Sequence, residues 1–252
     1  MTEITSVGSA REFLRHVIED EFGHVVVLTG AGISTESGVP DFRSPGGLWS
    51  KLQPIEFQDF LLNPESRRED WRRRFEMKRI FDAAQPNAAH EALARLAAAG
   101  GLDLLITQNI DGLHQRAGTP ADKLIELHGN STYASCLECL RVEELEPLEK
   151  TWQAGQVPLC SACGGLLKAA VVSFGQAMPE DATRKAFHSA GQAGVFIVVG
   201  SSLLVHPAAQ LPLAAVRAGA RLVVVNRQET PLDDHAEACI RSPIAETFEG
   251  FG

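Results

Sequence analysis

Short, uninterrupted apolar runs recur along this chain, and they restrict its fold more than any other feature of the sequence. A strand with one face in water alternates apolar and polar residues, whereas a strand covered on both faces is apolar throughout. Runs of the second kind occupy residues 24–29, 102–107, 124–127, 169–173, 195–199 and 222–225. Helical patterns at 86–99 and 207–218 lie between them. The sequence therefore predicts an α/β fold built on a parallel, doubly wound sheet.

Two stretches interrupt this alternation of strands and helices. Residues 44–85 are charged and helical in pattern, and residues 133–168 contain four paired cysteines. A chain of 252 residues fits one large domain or one domain with an insertion. We therefore predict a smaller domain formed by these two insertions. Residues 1–43, 86–132 and 169–252 then form the domain that contains the sheet.

The charge balance and the hydropathy exclude some classes of partner. The chain has 23 Lys and Arg against 32 Asp and Glu, a formal net charge of -9. Such a chain repels a phosphate backbone, so we expect no direct nucleic-acid binding. No stretch approaches the length of a transmembrane helix, and the N-terminal residues lack the apolar core of a signal peptide. We expect no membrane association and a cytoplasmic location.

Four of the five cysteines form two CxxC pairs, Cys136 with Cys139 and Cys160 with Cys163, separated by a 20-residue spacer. Paired thiolates at this spacing are typical of one tetrahedral zinc ion, and a redox dithiol or unrelated buried cysteines are the alternatives. Four protein ligands leave no open coordination position, so the predicted ion is structural. The remaining cysteine, Cys239, has apolar neighbours and is predicted to be a core residue.

Small or polar residues follow several of the predicted strands. They are Gly30-Ala31-Gly32, Gln108-Asn109-Ile110-Asp111, His128-Gly129-Asn130, Gly200-Ser201-Ser202 and Asn226. Ligands of doubly wound sheets bind outside the carboxyl ends of the strands. We therefore expect these residues to form one polar cleft.

Gly30 and Gly32 allow a pyrophosphate to approach the backbone at the start of a helix. Thr35 occupies the place of the third glycine of a GxGxxG motif, and no convincing ribose-binding acid follows. A plain tight turn is the alternative. The motif favours a nucleotide ligand but not an ordinary hydride-transfer dehydrogenase.

His128 lies between Leu127 and Gly129, at the end of a predicted strand. Histidine titrates near neutral pH, so His128 is a candidate general base in a cleft with Asn109 and Asp111. The alternative is a hydrogen-bonded structural histidine.

The segment 67–79 is rich in arginine, but acidic residues are interleaved with the basic ones. Glu69 with Arg73 and Asp70 with Arg74 are i,i+4 pairs in the favourable order. We therefore predict a solvated helix face here rather than a phosphate-binding patch.

Several ordered blocks together resemble the sirtuins, the NAD-dependent protein deacylases. The blocks are residues 30–44, 107–114, 126–130, the four cysteines, 200–208 and 225–226. The resemblance implies a Rossmann-like domain and a small zinc and helical module, with NAD and acyl-lysine meeting between them. It implies an enzyme that releases nicotinamide and O-acyl-ADP-ribose. A mono-ADP-ribosyltransferase and a non-catalytic NAD or ADP-ribose sensor are the alternative functions.

The resemblance also assigns residues to roles. His128 is the expected base, with Asn109 and Asp111 completing the catalytic set. The expected NAD-binding residues are Gly30, Ala31, Gly32, Thr35, Asp41, Phe42, Arg43, Gln108, Asn109, Asp111, Gly200, Ser201, Ser202 and Asn226. One zinc ion is expected on the four paired cysteines.

For the acyl-lysine substrate, the resemblance implies that Val172, Ser173, Phe174 and Gly175 pair with a peptide backbone as a strand. Gln176 follows them, where many sirtuins have glutamate. Sirtuins that remove succinyl or malonyl groups use a Tyr-x-x-Arg pair, and the nearest alignment places Trp71 and Arg74 there. An indole lacks the tyrosine hydroxyl. We therefore predict a preference for neutral acyl groups, with Arg74 a surface charge.

Overall fold

The computed structural model describes residues 2–41, 47 and 52–251. Its strands are β1 (Thr2–Ile4), β2 (Val25–Thr29), β3 (Leu102–Thr107), β4 (Leu124–Glu126), β5 (Gly129–Cys136), β6 (Val142–Glu144), β7 (Leu167–Val171), β8 (Val195–Val199), β9 (Arg221–Val225) and β10 (Ala238–Ile240). Its α-helices are α1 (Val7–Asp20), α2 (Phe57–Leu62), α3 (Pro64–Ala83), α4 (Ala88–Ala98), α5 (Leu113–Arg116), α6 (Leu145–Gln153), α7 (Glu180–Ala190), α8 (Leu211–Arg217) and α9 (Ile244–Phe248).

The main sheet has seven strands in the order β1-β10-β9-β8-β2-β3-β4, and all its pairings are parallel. Val27 of β2 pairs with Leu105 on one side and Ile197 on the other. The predicted parallel, doubly wound sheet is confirmed. The strand order reverses between β2 and β8, so the chain leaves these neighbours in opposite directions and opens a crevice at their carboxyl ends.

Both faces of the main sheet are covered, which explains its uninterrupted apolar strands. Val25 and Val27 of β2 pack into a core with α1, α4 and α9, whereas Val26 and Leu28 pack into a second core with α7 and α8. Because successive side chains of a strand point to opposite faces, a strand between two helical layers needs an apolar residue at every position.

Local sequence signals account for the bounds of the longer helices. Asn87 caps α4, since its side chain accepts hydrogen bonds from the backbone N–H groups of Ala89 and His90. Asn63 caps α3 in the same way through Glu65, and Pro64 occupies the first helical turn. Among the described residues, no helix combines the length and apolar character needed to cross a bilayer.

A second sheet of three antiparallel strands has the order β6-β5-β7. The prediction that 169–173 is a strand of the parallel sheet is therefore wrong, because β7 pairs with β5 instead. An apolar run reports burial on both faces, but it does not identify the neighbouring strand or its direction.

The second sheet packs against α3 and α6. Trp71 and Phe75 of α3, with Leu145 and Leu148 of α6, share an apolar cluster with Leu167 of β7. β5 begins at Gly129 and β7 ends at Val171, so this sheet extends slightly beyond the 133–168 insertion. The exact division into two domains stays a prediction.

Candidate active site

A cavity of about 450 Å³ lies at the carboxyl ends of the central strands of the main sheet. One side of it is formed by the loops after β2, β3, β8 and β9, and the other by α3 and the segment after β7. The predicted site residues that line it are Gly30, Ala31, Gly32, Asp41, Gln108, Asn109, His128, Val172, Ser173, Phe174, Gly175, Gly200, Ser201, Ser202, Asn226 and Arg74. The structure therefore brings residues from distant parts of the sequence into one cleft, as the strand-end pattern predicts.

Some predicted site residues lie elsewhere. Thr35 is exposed and donates its hydroxyl to the carbonyl of Gly32, at 2.9 Å. Asp111 and Trp71 are buried and do not line the cavity. Phe42 and Arg43 lie outside the described residues.

Three glycines allow two loops of the cleft to touch. The N–H of Gly32 donates to the carbonyl of Gly200 at 2.8 Å. A Cβ on Gly30 or Gly32 would lie 2.8 Å from backbone atoms of Gly200, and Gly200 itself has a φ of +66°. The glycines after β2 therefore serve the contact between the β2 and β8 loops, in addition to any approach by a ligand.

A buried hydrogen-bond network lies behind the cavity wall, and it is centred on Ser34. The Ser34 hydroxyl donates to Oδ2 of Asp111 at 2.7 Å. It also accepts from Nδ2 of Asn109 at 3.2 Å, and the same Nδ2 donates to the carbonyl of Gly30 at 3.1 Å. The other Asp111 oxygen accepts from the N–H of Leu113. Asp111 thus orients Asn109 through Ser34 instead of facing the cavity itself.

His90 belongs to the same network, and neither His90 nor Ser34 is among the residues predicted from the sequence. The backbone N–H of Asn87 donates to Nδ1 of His90, so Nε2 carries the proton and donates to Ser34 at 3.3 Å. The only sequence signal for this role is the Asn87 capping box, in which His90 is the third helical residue. Burial lowers the pKa of His90 to about 4. Burial raises the pKa of Asp111, against the opposing effect of its hydrogen bonds to Leu113 and Ser34.

His128 lies in the cavity with its ring oriented by the backbone. Its Nδ1 is 3.0 Å from the carbonyl oxygen of Gln108. A carbonyl oxygen only accepts hydrogen bonds, so Nδ1 carries the proton and Nε2 is the basic nitrogen of the neutral ring. The Gln108 side chain in turn donates to the Ser201 hydroxyl at 2.8 Å, which connects the β3 and β8 loops.

The segment after β7 forms the other wall. The N–H of Val172 donates to the carbonyl of His128 at 2.8 Å, and the N–H of Phe57 donates to the carbonyl of Phe174, also at 2.8 Å. Gln176 accepts from the N–H of Ser173 through its side chain. Only Val172 and Ser173 continue from β7 beside His128, because the chain then turns at Phe174 and Gly175. The N–H of Gln176 donates to the carbonyl of Ser173 at 3.0 Å, and Gly175 has a φ of +77°.

The four paired cysteines come together away from the cavity. Their sulfur atoms all lie within 4.8 Å of one another, and Cys136 Sγ is 3.5 Å from Cys163 Sγ. A tetrahedral zinc ion with Zn–S bonds of about 2.3 Å places its sulfur ligands about 3.8 Å apart. Backbone N–H groups of Glu138 and Cys139 point at Cys136 Sγ, and that of Gly165 points at Cys163 Sγ. The site fits the predicted structural zinc ion, and Cys239 is a buried core residue as predicted.

The structure corrects the prediction of a solvated face on α3. Asp70 and Trp71 are buried, and the Arg74 side chain is only 18% exposed. Trp71 stacks on Phe75 in the core beneath the second sheet, whereas Arg74 lines the cavity, so Arg74 is not a surface charge. The reason is that α3 lies between the cavity and the second sheet. One side of the helix packs against the sheet and another forms the cavity wall, so neither side is fully exposed to solvent. The pairs of Glu69 with Arg72 and Arg73 remain near the solvent.

This chain is similar to known proteins over most of its length. A sequence model described as "Sir2 family" matches residues 30–207. A relative from Rhodopseudomonas palustris, named "NAD-dependent protein deacetylase", is 50% identical over 228 residues, which cover 90% of each chain. A relative from Aquifex aeolicus, named "NAD-dependent protein deacylase", is 45% identical and covers 85% of this chain and 87% of its own length.

Solved structures of Sir2 proteins are similar to this chain as well. A Sir2 structure with a deacetylated peptide and 3′-O-acetyl ADP-ribose superposes with a TM-score of 0.85 at 41% identity, covering 94% of this chain and 95% of its own. A Sir2 structure bound to a propionylated peptide has a TM-score of 0.82 at 41% identity and covers 94% of each chain.

Proposed function

This chain belongs to the Sir2 family and is an NAD-dependent protein deacylase, and we propose that His128 is its general base and that neutral acyl-lysine is its preferred substrate. The reaction transfers the acyl group from lysine to ADP-ribose and releases nicotinamide. The observation that carries the assignment of His128 is its hydrogen bond to the Gln108 carbonyl, because this bond leaves Nε2 basic within the cavity.

NAD binds, in this proposal, across the crevice between the β2 and β8 loops. The turn Gly30-Ala31-Gly32 is proposed to bind the pyrophosphate through the N–H of Ala31, since the N–H groups of Gly30 and Gly32 donate to the carbonyls of Val199 and Gly200. Ser201, Ser202 and Asn226 line the same cavity farther along the rim and suit the adenosine half. By the resemblance, Asp41, Phe42 and Arg43 are proposed to contribute to the binding of the pyrophosphate and the nicotinamide ribose.

Asn109 is proposed to recognise the nicotinamide carboxamide. Its Nδ2 already donates to Gly30 and Ser34, so its Oδ1 is the atom suited to accept from the amide of the ligand. Asp111 supports this geometry from behind, through Ser34. Fixed dipoles of this kind need no reorganisation during the reaction, which is the usual origin of electrostatic catalysis.

His128 is proposed to remove a proton from a ribose hydroxyl of ADP-ribose and so activate that oxygen toward the acyl carbon. The peptide is proposed to add as a strand beside Val172 and Ser173, next to the turn at Phe174 and Gly175, which delivers the acyl-lysine past His128. Zinc on the four cysteines stabilises the second sheet and takes no part in the chemistry, since four sulfur ligands complete its coordination. A cytoplasmic location is part of the proposal, and unpaired cysteines suited to zinc are consistent with a reducing compartment.

The test is to incubate the protein with NAD and acetyl- and butyryl-lysine peptides and to determine the products by mass. We expect free lysine peptide, nicotinamide and O-acyl-ADP-ribose in equal amounts, and formation of O-acyl-ADP-ribose at least about 100-fold slower when His128 is replaced by alanine. ADP-ribose attached to a protein side chain would support the transferase alternative. Binding of NAD with no turnover of any peptide would support the sensor alternative.

A further inference from the structure

Helix α3 presents charged side chains to the cavity, and two of them, Asp70 and Arg74, form an i,i+4 pair. Arg73 also lines the cavity, and it pairs with Glu69 at 2.7 Å. Asp70, Arg74, Met77 and Phe81 all line the cavity, at the i, i+4, i+7 and i+11 spacing of one helix face. Met77 and Phe81 form an apolar stretch of wall, whereas Asp70 and Arg74 form a polar one. A group that extends past His128 toward α3 meets both.

Asp70 and Arg74 are paired, but they are not fully satisfied. Arg74 Nε lies 3.6 Å from Asp70 Oδ2, with side-chain exposures of 18% and 8%. Both atoms are buried without a hydrogen-bond partner in the described part of the chain, and so is Nε1 of the neighbouring Trp71. The pair is thus held together by electrostatic attraction in a largely desolvated environment. Adding an unpaired charge there carries a desolvation penalty.

A second cation lies behind this pair. Lys168 of β7 is 2% exposed, donates from Nζ to the carbonyl of Val171, and has Nζ 6.0 Å from the centre of the Phe57 ring. It does not line the cavity. Burial and the nearby Arg74 lower the pKa of Lys168 to about 8, while Asp70 acts in the opposite direction. At pH 7 Lys168 is therefore mainly cationic, and Asp70 is the anion that compensates two buried cations.

We propose that Asp70 is a specificity-determining residue that excludes acyl groups carrying a carboxylate. Its charge is paired with Arg74 on the ligand side, so an uncharged acyl chain meets Arg74 as half of an ion pair and not as a free cation. A succinyl carboxylate would instead bring a second anion against Asp70. Replacing Asp70 by the isosteric asparagine leaves Arg74 and Lys168 without an anion, and an acidic acyl group then becomes the best available partner. This inference rests on the proposed function, because it assumes that the acyl chain extends toward α3.

The experiment compares kcat/KM at pH 7 for succinyl-, butyryl- and acetyl-lysine peptides of identical sequence. We expect Asp70→Asn to raise the ratio of succinyl to butyryl activity at least about tenfold, because a like-charge contact is removed and an opposite-charge contact is formed. Asp70→Asn/Arg74→Met should lose most of that gain. Asp82→Asn is the matched control, since Asp82 is exposed on the same helix, pairs with Lys78 and does not line the cavity. An unchanged ratio in folded Asp70→Asn protein overturns the proposal.

A second measurement needs no variant, and so it applies even when Asp70→Asn does not fold. A 4-aminobutyryl-lysine peptide has a chain like that of succinyl-lysine but ends in an ammonium group. If Asp70 excludes carboxylates, kcat/KM of the wild-type protein should be highest for the butyryl peptide, lower for the aminobutyryl peptide and lowest for the succinyl peptide. A faster reaction with succinyl than with aminobutyryl contradicts it. Loss of all turnover by the wild-type protein would instead refute the proposed function.

Discussion

The imidazole of His128 is bound through Nδ1 to the backbone carbonyl of Gln108, at 3.0 Å. Gln108 directly follows β3, and its side chain donates to Ser201 after β8. The ring is therefore oriented by two strands of the main sheet, whereas the His128 carbonyl accepts from Val172 on the opposite wall. One residue links the nucleotide side of the cleft to the substrate side, which is where a base for acyl transfer to a ribose is needed.

Replacing His128 by alanine should remove deacylation with little effect on NAD binding. A general base acts in the transition state, so we expect kcat to fall by roughly 10²–10⁴-fold while NAD affinity changes only a few-fold. Steady-state kinetics and NAD titration measure the two effects. His188→Ala is the control, because His188 is exposed on α7. An active His128→Ala protein would exclude His128 as the base.

Replacing Asp111 by asparagine should disturb the nicotinamide side of the site. Both Asp111 oxygens accept hydrogen bonds, from Ser34 and from Leu113, and an asparagine amide offers only one acceptor oxygen. We expect kcat/KM for NAD to fall roughly 10- to 100-fold, about 1.5–3 kcal/mol for a hydrogen bond to a charged group.

Ser34→Ala tests whether Asp111 acts through Ser34. The single variants should have similar effects, and the double variant should be clearly less impaired than the product of the two predicts. Fully additive losses would show that Asp111 and Ser34 act independently.

Replacing Gly200 by alanine should destabilise the protein or abolish NAD binding. The new Cβ would lie 2.3 Å from the backbone nitrogen of Ile33, at a φ of +66°. Backbone atoms cannot move aside easily, so we expect a loss above about 3 kcal/mol in the free energy of unfolding, measured by denaturant titration.

Gly155→Ala is the matched control for Gly200. Gly155 also has a positive φ, +83°, but a Cβ there meets nothing within 4 Å. Its replacement should cost only about 1 kcal/mol from the unfavourable backbone conformation. Equal losses in the two variants would mean that the contact between the β2 and β8 loops is unimportant.

Removing zinc should unfold the second sheet. The ion joins Cys136 and Cys139, at the end of β5 and just after it, to Cys160 and Cys163, which precede β7. We expect one zinc per chain by elemental analysis, and a decrease in Tm of at least about 5 °C for Cys160→Ala or after chelation. Cys239→Ala should retain its zinc, since Cys239 lies in the core of the main sheet. A zinc-free protein of unchanged stability would contradict the site.

Acid should destabilise the protein through its buried histidines. In the unfolded chain the pKa of histidine is near 6.5, whereas burial lowers the pKa of His90 to about 4 and that of His114 well below its usual value. Between these values the unfolded state binds more protons, so the free energy of unfolding falls as the pH decreases from 6.5. His90 alone contributes up to about 3 kcal/mol of this loss.

His90→Gln should therefore make the free energy of unfolding less steep with pH between 6.5 and 4. Denaturant titrations at several pH values measure the slope, with the exposed His188→Gln as control. The same slope in His90→Gln and wild-type protein would show that His90 is not held neutral by burial.

Much of the fold follows from sequence patterns that depend on one residue and its near neighbours. Each buried strand is apolar at every position, helix α4 begins at the Asn87 cap, and each CxxC pair places two thiolates in one turn. These signals predict the parallel sheet and the zinc site. His128 and the glycines after β2 were also identifiable, because residues that follow parallel strands must meet at one edge of the sheet.

The remaining features were decided by contacts between segments far apart in the chain. The run at 169–173 is apolar in either sheet, and only the pairing of β7 with β5 places it in the second one. His90 is hydrogen-bonded to Ser34, which is 56 residues away in the sequence. Asn109 lines the cavity, whereas Asp111 is buried and is hydrogen-bonded to Ser34. Asp70 and Arg74 form an ordinary surface pair by sequence spacing. They become a buried pair in the cavity wall because α3 packs between the cavity and the second sheet, and burial of a side chain is set by what packs against it rather than by its own sequence.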